Sequence, residues 1–262
     1  MIKDEFSVLF ARIDDLCKRA ERGAVGACGF LSPREQHFID RHLRESGVSL
    51  RCFTFGGYAT AERRRAFILP EFLEDLTDYS ELAPFFDTEP IVALFVKESG
   101  YRKLSHRDYL GSVLSLGIDR SVVGDIVLSA EEGGAYIFCD GAIAEFILME
   151  LSGVGGDKVK VRRAEVGAEF APKRALSHIS DTVASARVDC VVAALCSLSR
   201  EKAAAAVRSG LVEVEYEVEQ APDRVVTPPA VMSVRGYGKF VINSLSEHTR
   251  KGRIRLDADK YV

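Results

Sequence analysis

The cationic side chains near the carboxyl end are spaced for chemistry, and that chemistry is phosphate recognition. Arg200, Ala204 and Arg208 recur at i, i+4 and i+8, so two guanidinium groups flank a small residue on one helical face. Arg235 and Lys239 bracket the bend Gly236-Tyr237-Gly238. Beyond Arg250 and Lys251, Arg253 and Arg255 share one side of an extended segment, leaving Ile254 and Leu256 to face a core. About four phosphate contacts from such a set would give log affinity a slope near −3 against log salt. The reading requires these cations to converge on one exposed cradle for folded RNA.

The elements that hold them are legible locally. Val188, Val191, Val192 and Leu195 make one helical stripe, and a second helix starts after Ser199, an N-cap, with Glu201 in its first turn and Gly210 as its stop. Leu211 to Val214 alternates as a strand, and Met232 to Phe240 reads as two strands joined at the glycine bend. The acids Glu213, Glu215, Glu217 and Glu219 would repel phosphate along the first hairpin, where a solubilising edge is the favoured reading over a partner surface.

Other chemistry is set aside. His106-Arg107-Asp108 has the form of a kinase catalytic triplet, but Val113 stands where that loop needs asparagine, and the glycine-rich phosphate loop is missing, so Ser105 and Asp108 are read as a helix start. His37, His42, His178 and His248 lack metal-ligand spacing, and no cofactor or metal is expected. Gly153-Val154-Gly155-Gly156 follows a helix instead of opening one, and is read as a loop. Cys17, Cys28, Cys52, Cys139, Cys190 and Cys196 form no C-x-x-C pair and are read as reduced core thiols.

At 262 residues with 47% hydrophobic content and a net charge of −4, the chain suits two or three modest domains, with any nucleic-acid binding confined to a local patch. The N-terminus lacks a signal-peptide core and no stretch approaches a membrane span, so a cytoplasmic protein is expected.

The expected fold class is α+β. An N-terminal α/β domain over 1–80 begins with the amphipathic series Phe6 to Ala20 and a capping box at Ser32-Pro33-Arg34-Glu35 that announces a helix to about Gly47. A strand at Leu50 to Phe55 leads into a bend carrying the charged run Ala61 to Ala66. Over 88–166 the order strand, helix, strand, strand, helix, strand predicts a ferredoxin-like, RRM-like plait. Tyr136 and Phe138 share a strand face there; they would either stack on bases or pack beneath helices, and the missing basic-glycine-aromatic signature favours packing. Residues 167–182 read as a linker, and 183–262 as the C-terminal domain.

Arg187-Val188-Asp189, Ser199-Arg200, Ala203, Gly210 and Val212-Glu213-Val214 together resemble the small RNA-binding domain shared by ribosomal protein S-four, Hsp15-type heat-shock proteins, pseudouridine synthases and bacterial tyrosyl-tRNA synthetases. Two positions depart from it: Glu215 stands where a non-acidic residue is usual, and Pro229-Ala230 replaces Gly-Asp. Phe55-Gly56-Gly57-Tyr58 with Ala61-Glu62-Arg63-Arg64, His106 to Ser112 with Leu116-Gly117-Ile118, Gly124-Asp125-Ile126 and Ser233 to Phe240 extend the resemblance, over nearly the whole chain, to the bacterial YlmH family.

That resemblance implies a non-catalytic RNA-binding protein of the large ribosomal subunit, touching rRNA and tRNA during rescue of stalled translation, with no membrane or DNA partner. Its contacts would fall on Arg187, Ser199, Arg200, Lys202, Arg208, Arg235, Lys239, Arg250, Lys251, Arg253 and Arg255. An RNA-modifying enzyme of pseudouridine-synthase type and a cell-division interaction protein are the alternatives.

Overall fold

The computed structural model describes residues 5–48, 51–167, 169–172, 176–248 and 252–261, with the side chains of 247 and 248 left out. The chain mixes helices with antiparallel sheets and divides into two compact units, 1–172 and 173–262.

The first unit opens with helix α1 (Ser7–Glu21), which Gly23 ends with a positive φ, followed by strand β1 (Gly26–Leu31) and helix α2 (Pro33–Glu45). The capping box forms as expected: the Glu35 amide donates to Ser32 Oγ at 3.3 Å and the Ser32 amide to Glu35 Oε2 at 2.6 Å. Strands β2 (Cys52–Phe55) and β3 (Arg64–Ile68) complete an antiparallel sheet of order β1-β3-β2. Ile13, Leu16, Ile39 and Leu43 of the helices pack on one of its faces with Ala66 and Ile68.

Two of these strands were not expected. Residues 61–66 were read as a bend, yet Arg64–Ile68 is the central strand, because Arg65 enters the core already paired. Its guanidinium donates to Cys28 O at 2.9 Å and Pro90 O at 2.5 Å and lies 2.7 Å from Asp140 Oδ2. A charge satisfied in this way hides the strand pattern. Gly26–Leu31 carries two glycines in six residues and so little strand propensity.

After two short 3₁₀ turns (Glu71–Leu73 and Tyr79–Phe85) come β4 (Val92–Glu98), α3 (His106–Ser115), β5 (Val123–Ser129), β6 (Gly134–Cys139), α4 (Gly141–Glu150), β7 (Gly153–Val154) and β8 (Asp157–Ala164). Their antiparallel sheet has the order β5-β6-β4-β8-β7. Both helices cover one face, where Tyr109, Val113, Ala144 and Ile147 meet Leu94, Val96 and Ile137. The glycines at 155 and 156, expected in a loop, make the positive-φ turn of the β7–β8 hairpin. Asp108 closes a capping box on Ser105 at the start of α3, accepting from its amide at 2.8 Å and its hydroxyl at 2.7 Å.

The N-terminal and central segments, expected as separate domains, share a core. Phe30, Tyr58, Phe67, Leu82 and Ile91 cluster with Phe138 of the central sheet. Asp125 on β5 locks the contact, accepting from Tyr58 Oη at 2.7 Å and from the amides of Glu62 at 2.7 Å and Arg63 at 3.0 Å. The Arg63 guanidinium answers by donating to Phe30 O at 2.8 Å and Val123 O at 3.1 Å. Glycine is required where the backbones approach: a Cβ on Gly57, at φ +98°, would sit 2.3 Å from the Phe138 ring, and one on Gly124 would lie 2.7 Å from Phe30.

The second unit contains β9 (Leu176–Val183), α5 (Val188–Leu195), α6 (Arg200–Arg208), β10 (Val212–Val214), β11 (Glu217–Glu219), β12 (Ala230–Val234), β13 (Gly238–His248) and β14 (Ile254–Tyr261). Its sheet runs β11-β10-β12-β13-β14-β9. The segment 167–182 is therefore not a linker throughout: β9 pairs along β14 from Leu176 opposite Tyr261 to Val183 opposite Ile254. Its outward residues are polar because only one face of this edge strand meets the core, which flattened the pattern. Val191, Val192 and Val207 from the helices pack on Met232, Val234, Phe240 and Ile242.

Because Asp125 accepts from three donors and Tyr58 supplies one, Asp125→Ala should lower the unfolding free energy by about 3 kcal/mol and Tyr58→Phe by about 1 kcal/mol. Urea denaturation reads both; equal losses would show that Asp125 does not lock the two segments together.

Candidate nucleic-acid interfaces

The predicted cations of the C-terminal unit form two groups. The first lies on the helix pair. Arg187 is the N-cap of α5, and its Nε and Nη2 both donate at 3.0 Å to Asp189, whose side chain is only 4% exposed. Arg200, at the start of α6, donates to the same carboxylate at 3.3 Å, so one buried acid joins the first turns of both helices. Burial pushes the Asp189 carboxyl up, but the hydrogen bonds from Arg187 and Arg200 outweigh it and hold the group below the usual carboxylate range. Arg200 keeps 61% of its side chain exposed.

Ser199 is occupied as the helix cap, accepting from the Lys202 amide at 3.3 Å. Lys202 and Arg208 are exposed along α6. Ala204 retains only 9% of its surface, since it borders the Ala203 and Val207 stripe that packs inward. The open approach expected between Arg200 and Arg208 is thus narrowed. Arg235 joins this group through the backbone: its amide donates to Leu211 O at 2.9 Å, bringing the β12–β13 turn to the chain leaving α6.

The second group faces away from the helices. Phe240 and Ile242 enter the core, so Lys239 must point to the opposite side. There its ammonium lies 4.9 Å from the Tyr261 ring centroid and 5.3 Å from that of Tyr216. Arg253 donates to Thr182 Oγ1 at 2.9 Å and Thr182 O at 2.5 Å. Arg255 is exposed on the face shared with Asp257 and Asp259, where Asn243 donates to Asp259 at 2.7 Å and His178 lies 3.2 Å from it. The single cradle expected from the sequence is therefore not formed; strand alternation sends the cations to two sides of one sheet. Arg250 and Lys251 lie outside the described residues.

The acidic hairpin also differs from expectation. Glu215 and Tyr216 take positive φ at the β10–β11 turn, and the Glu215 carboxylate accepts from the Val231 amide at 2.5 Å. Glu219 is buried, accepting from the Ala221 amide at 2.7 Å and pairing with Arg224 at 2.5 Å. Two of the four acids thus hold neighbouring chain instead of confronting phosphate.

A third cationic surface was missed. The central sheet face opposite its helices carries Ala93, Phe95 and Lys97 on β4, Tyr136 and Phe138 on β6, and Lys158, Lys160 and Arg162 on β8. Phe138 is buried under Tyr58 and Phe170, so it stacks on no base; it packs against the N-terminal segment and not beneath the helices. At the other end of this face, Arg162 lies over Phe95 with its guanidinium carbon 4.8 Å from the ring centroid, and Tyr136 sits 5.0 Å from the same ring. Tyr136 donates its hydroxyl to Glu132, a bond that raises the Tyr136 pKa and keeps it protonated. The alternation Lys158-Val159-Lys160-Val161-Arg162 held the signal: period two puts three cations on one side of a strand.

Residues 95–168 match the family described as "Putative RNA-binding domain in YlmH". The chain is 29% identical over 231 residues to the "Ribosome-associated protein quality control protein P2" of Bacillus subtilis (strain 168), covering 88% of this chain and 85% of that protein. The solved structure titled "Cell division protein ylmH from Streptococcus pneumoniae" aligns with a TM-score of 0.49 at 20% identity, over 63% of this chain and 92% of that one. Residues 95–168 are thus similar to the RNA-binding domain described for YlmH, and most of the chain is similar to the Bacillus subtilis protein.

Since the folded Asp189 carboxyl titrates below its unfolded value near 3.9, the stabilisation it gives is complete above that value and is lost as the pH falls through the depressed one. Asp189→Asn should cost about 2 kcal/mol at neutral pH and flatten the acid limb of stability. Denaturation midpoints measured from pH 7 down to about pH 3 check this; an unchanged acid limb would remove the carboxylate from its assigned role.

Proposed function

We propose that this protein is a non-catalytic RNA-binding factor of the cytoplasm that associates with the large ribosomal subunit, touches rRNA and tRNA, and acts in rescue or quality control of stalled translation. The carrying observation is the set Lys202, Arg208 and Arg235. All three are exposed, their side chains have no acid partner among the described residues, and they are fixed on one helix and on the turn bonded to the chain just after it. Such a set holds a phosphate backbone by position, without a reacting group.

The homology supports the setting, because the Bacillus subtilis relative is titled a ribosome-associated quality-control protein. In this reading the central domain is a ferredoxin-like plait and the C-terminal helix pair with its hairpins is an S-four type domain. The protein works by occupancy. Asp108, the residue that invites a catalytic reading, is consumed as a helix cap.

Lys202→Ala combined with Arg208→Ala should reduce co-sedimentation with large subunits and flatten the slope of log affinity against log salt by about 1.5, near 0.7 to 0.9 for each lost contact. Both side chains are exposed, so thermal stability should hold. Wild type that stays in the supernatant at low salt, or a double variant that pellets with the wild-type salt slope, would defeat the proposal.

A further inference from the structure

The central sheet face is half covered and half open, and the open half has a built platform. Phe95 is buried beneath the Arg162 guanidinium, which keeps 59% of its side chain exposed and has its central carbon 4.8 Å from the ring centroid, within cation–π range. Beside Phe95, Tyr136 packs tilted at 5.0 Å and Phe170 packs edge-on at 5.0 Å from Tyr136, so the Phe95 ring is braced by an aromatic cluster. Lys160 stands opposite Lys97 in the strand pairing, and Lys158 follows it on the same side. Among the described residues, Lys158 and Lys160 have neither a hydrogen bond nor an acid partner. A cavity of about 610 Å³ opens between Phe95, Lys97, Lys160, Arg162, Glu131 and Glu132.

Of the two acids on this rim, Glu131 is exposed and Glu132 is committed. Glu132 takes the Tyr136 hydroxyl on one oxygen and lies 3.7 Å from Arg162 with the other, while its backbone carbonyl accepts from Lys97. What remains for a ligand is one planar cation with an outward face and two free ammonium groups spaced along a strand.

We propose that this open half of the sheet binds unpaired RNA, with a base stacked on the outer face of Arg162 and the flanking phosphates on Lys158 and Lys160. The inference deepens the RNA-binding reading above and rests on it. Duplex RNA buries its base faces and offers only backbone and groove edges, so a stacking platform selects single strands, loops or bulges. Arginine suits the task because its guanidinium stacks on Phe95 below and on a base above, whereas a lysine ammonium offers no plane.

The test uses the full chain and a fluorescein-labelled single-stranded RNA of about eight nucleotides, within the usual site size for such surfaces, read by anisotropy beside a duplex of equal length and an acidic peptide. Wild type should prefer the single strand. Arg162→Lys should weaken it about tenfold, the loss of one stacked base, and leave the salt slope unchanged. Lys158→Ala with Lys160→Ala should flatten that slope by about 1.4, at 0.7 for each phosphate on a single strand. All three positions are exposed, and unchanged thermal midpoints would show that the fold is kept. Wild-type affinity and slope in both variants, equal binding of the duplex, or tighter binding of the acidic peptide would each overturn the inference. Large-subunit sedimentation of the same proteins separates the two readings: sedimenting wild type with unaffected single-strand binding in the variants sinks only the platform, whereas wild type that fails to sediment sinks the ribosomal reading.

Discussion

The Asp125 carboxylate decides what the first unit is able to do. By taking the Tyr58 hydroxyl and the Glu62 and Arg63 amides, it pins the segment after β2 against β5 and, with it, the N-terminal sheet over one end of the central sheet. Phe138 is buried as a result, under rings supplied by Tyr58 and Phe170. A sheet of this topology left bare would offer its whole face to a ligand. Here the covering stops short of Phe95 and β8, and the cations stand on the part that stays open. The glycines at 57 and 124 belong to the same constraint, since a side chain at either would hold the two layers apart.

Acids elsewhere do similar internal work, which explains how a chain of net charge −4 still presents cationic surfaces. Asp189 draws in Arg187 and Arg200, Glu219 takes Arg224, Glu215 braces the β12 backbone, and Asp140 meets the buried Arg65. Each pairing subtracts charge from the surface or satisfies a buried group. Of the cations without an acid partner, Lys202 and Arg208 are grouped on one helix and Lys158 and Lys160 on one strand.

What the sequence disclosed followed the range of the interaction. Helix starts at Ser32, Ser105, Asp140 and Ser199 were legible because a cap is a contact across three or so residues. The central strands were legible because their alternation is regular. The strand at Arg64–Ile68 was hidden because Arg65 is neutralised by Asp140 and its N–H groups are satisfied by Cys28 O and Pro90 O, partners 25 to 75 positions away, none of them visible in a local window. Strand Leu176–Val183 was hidden because its core-facing residues are only a few of eight. The predicted cations do not converge on one side of the sheet as the sequence reading required. Lys239 and Arg235 are close in sequence, yet one sits on a strand whose neighbour Phe240 must be buried, and that single requirement turns Lys239 to the far side of the sheet. The Lys158 to Arg162 alternation is legible by the same argument, since period two puts its three cations on one side of a strand.

The range of electrostatics gives these separate groups their meaning. At physiological ionic strength the Debye length is about 8 Å, shorter than the roughly 12 Å from Arg200 to Arg208 along two turns and more of helix. A phosphate docked at one cation therefore responds to its immediate neighbours and hardly to the chain's net charge. The overall negative charge then acts on encounters at longer range and lower salt, disfavouring indiscriminate adsorption to polyanions, while local patches hold those RNAs whose shape matches them. On the proposed reading selectivity would come from geometry: helix-borne Lys202 and Arg208 would address a backbone, and the Arg162 guanidinium over Phe95 would address a base face. Adding charge anywhere else on the surface would raise affinity for RNA in general and erode that distinction.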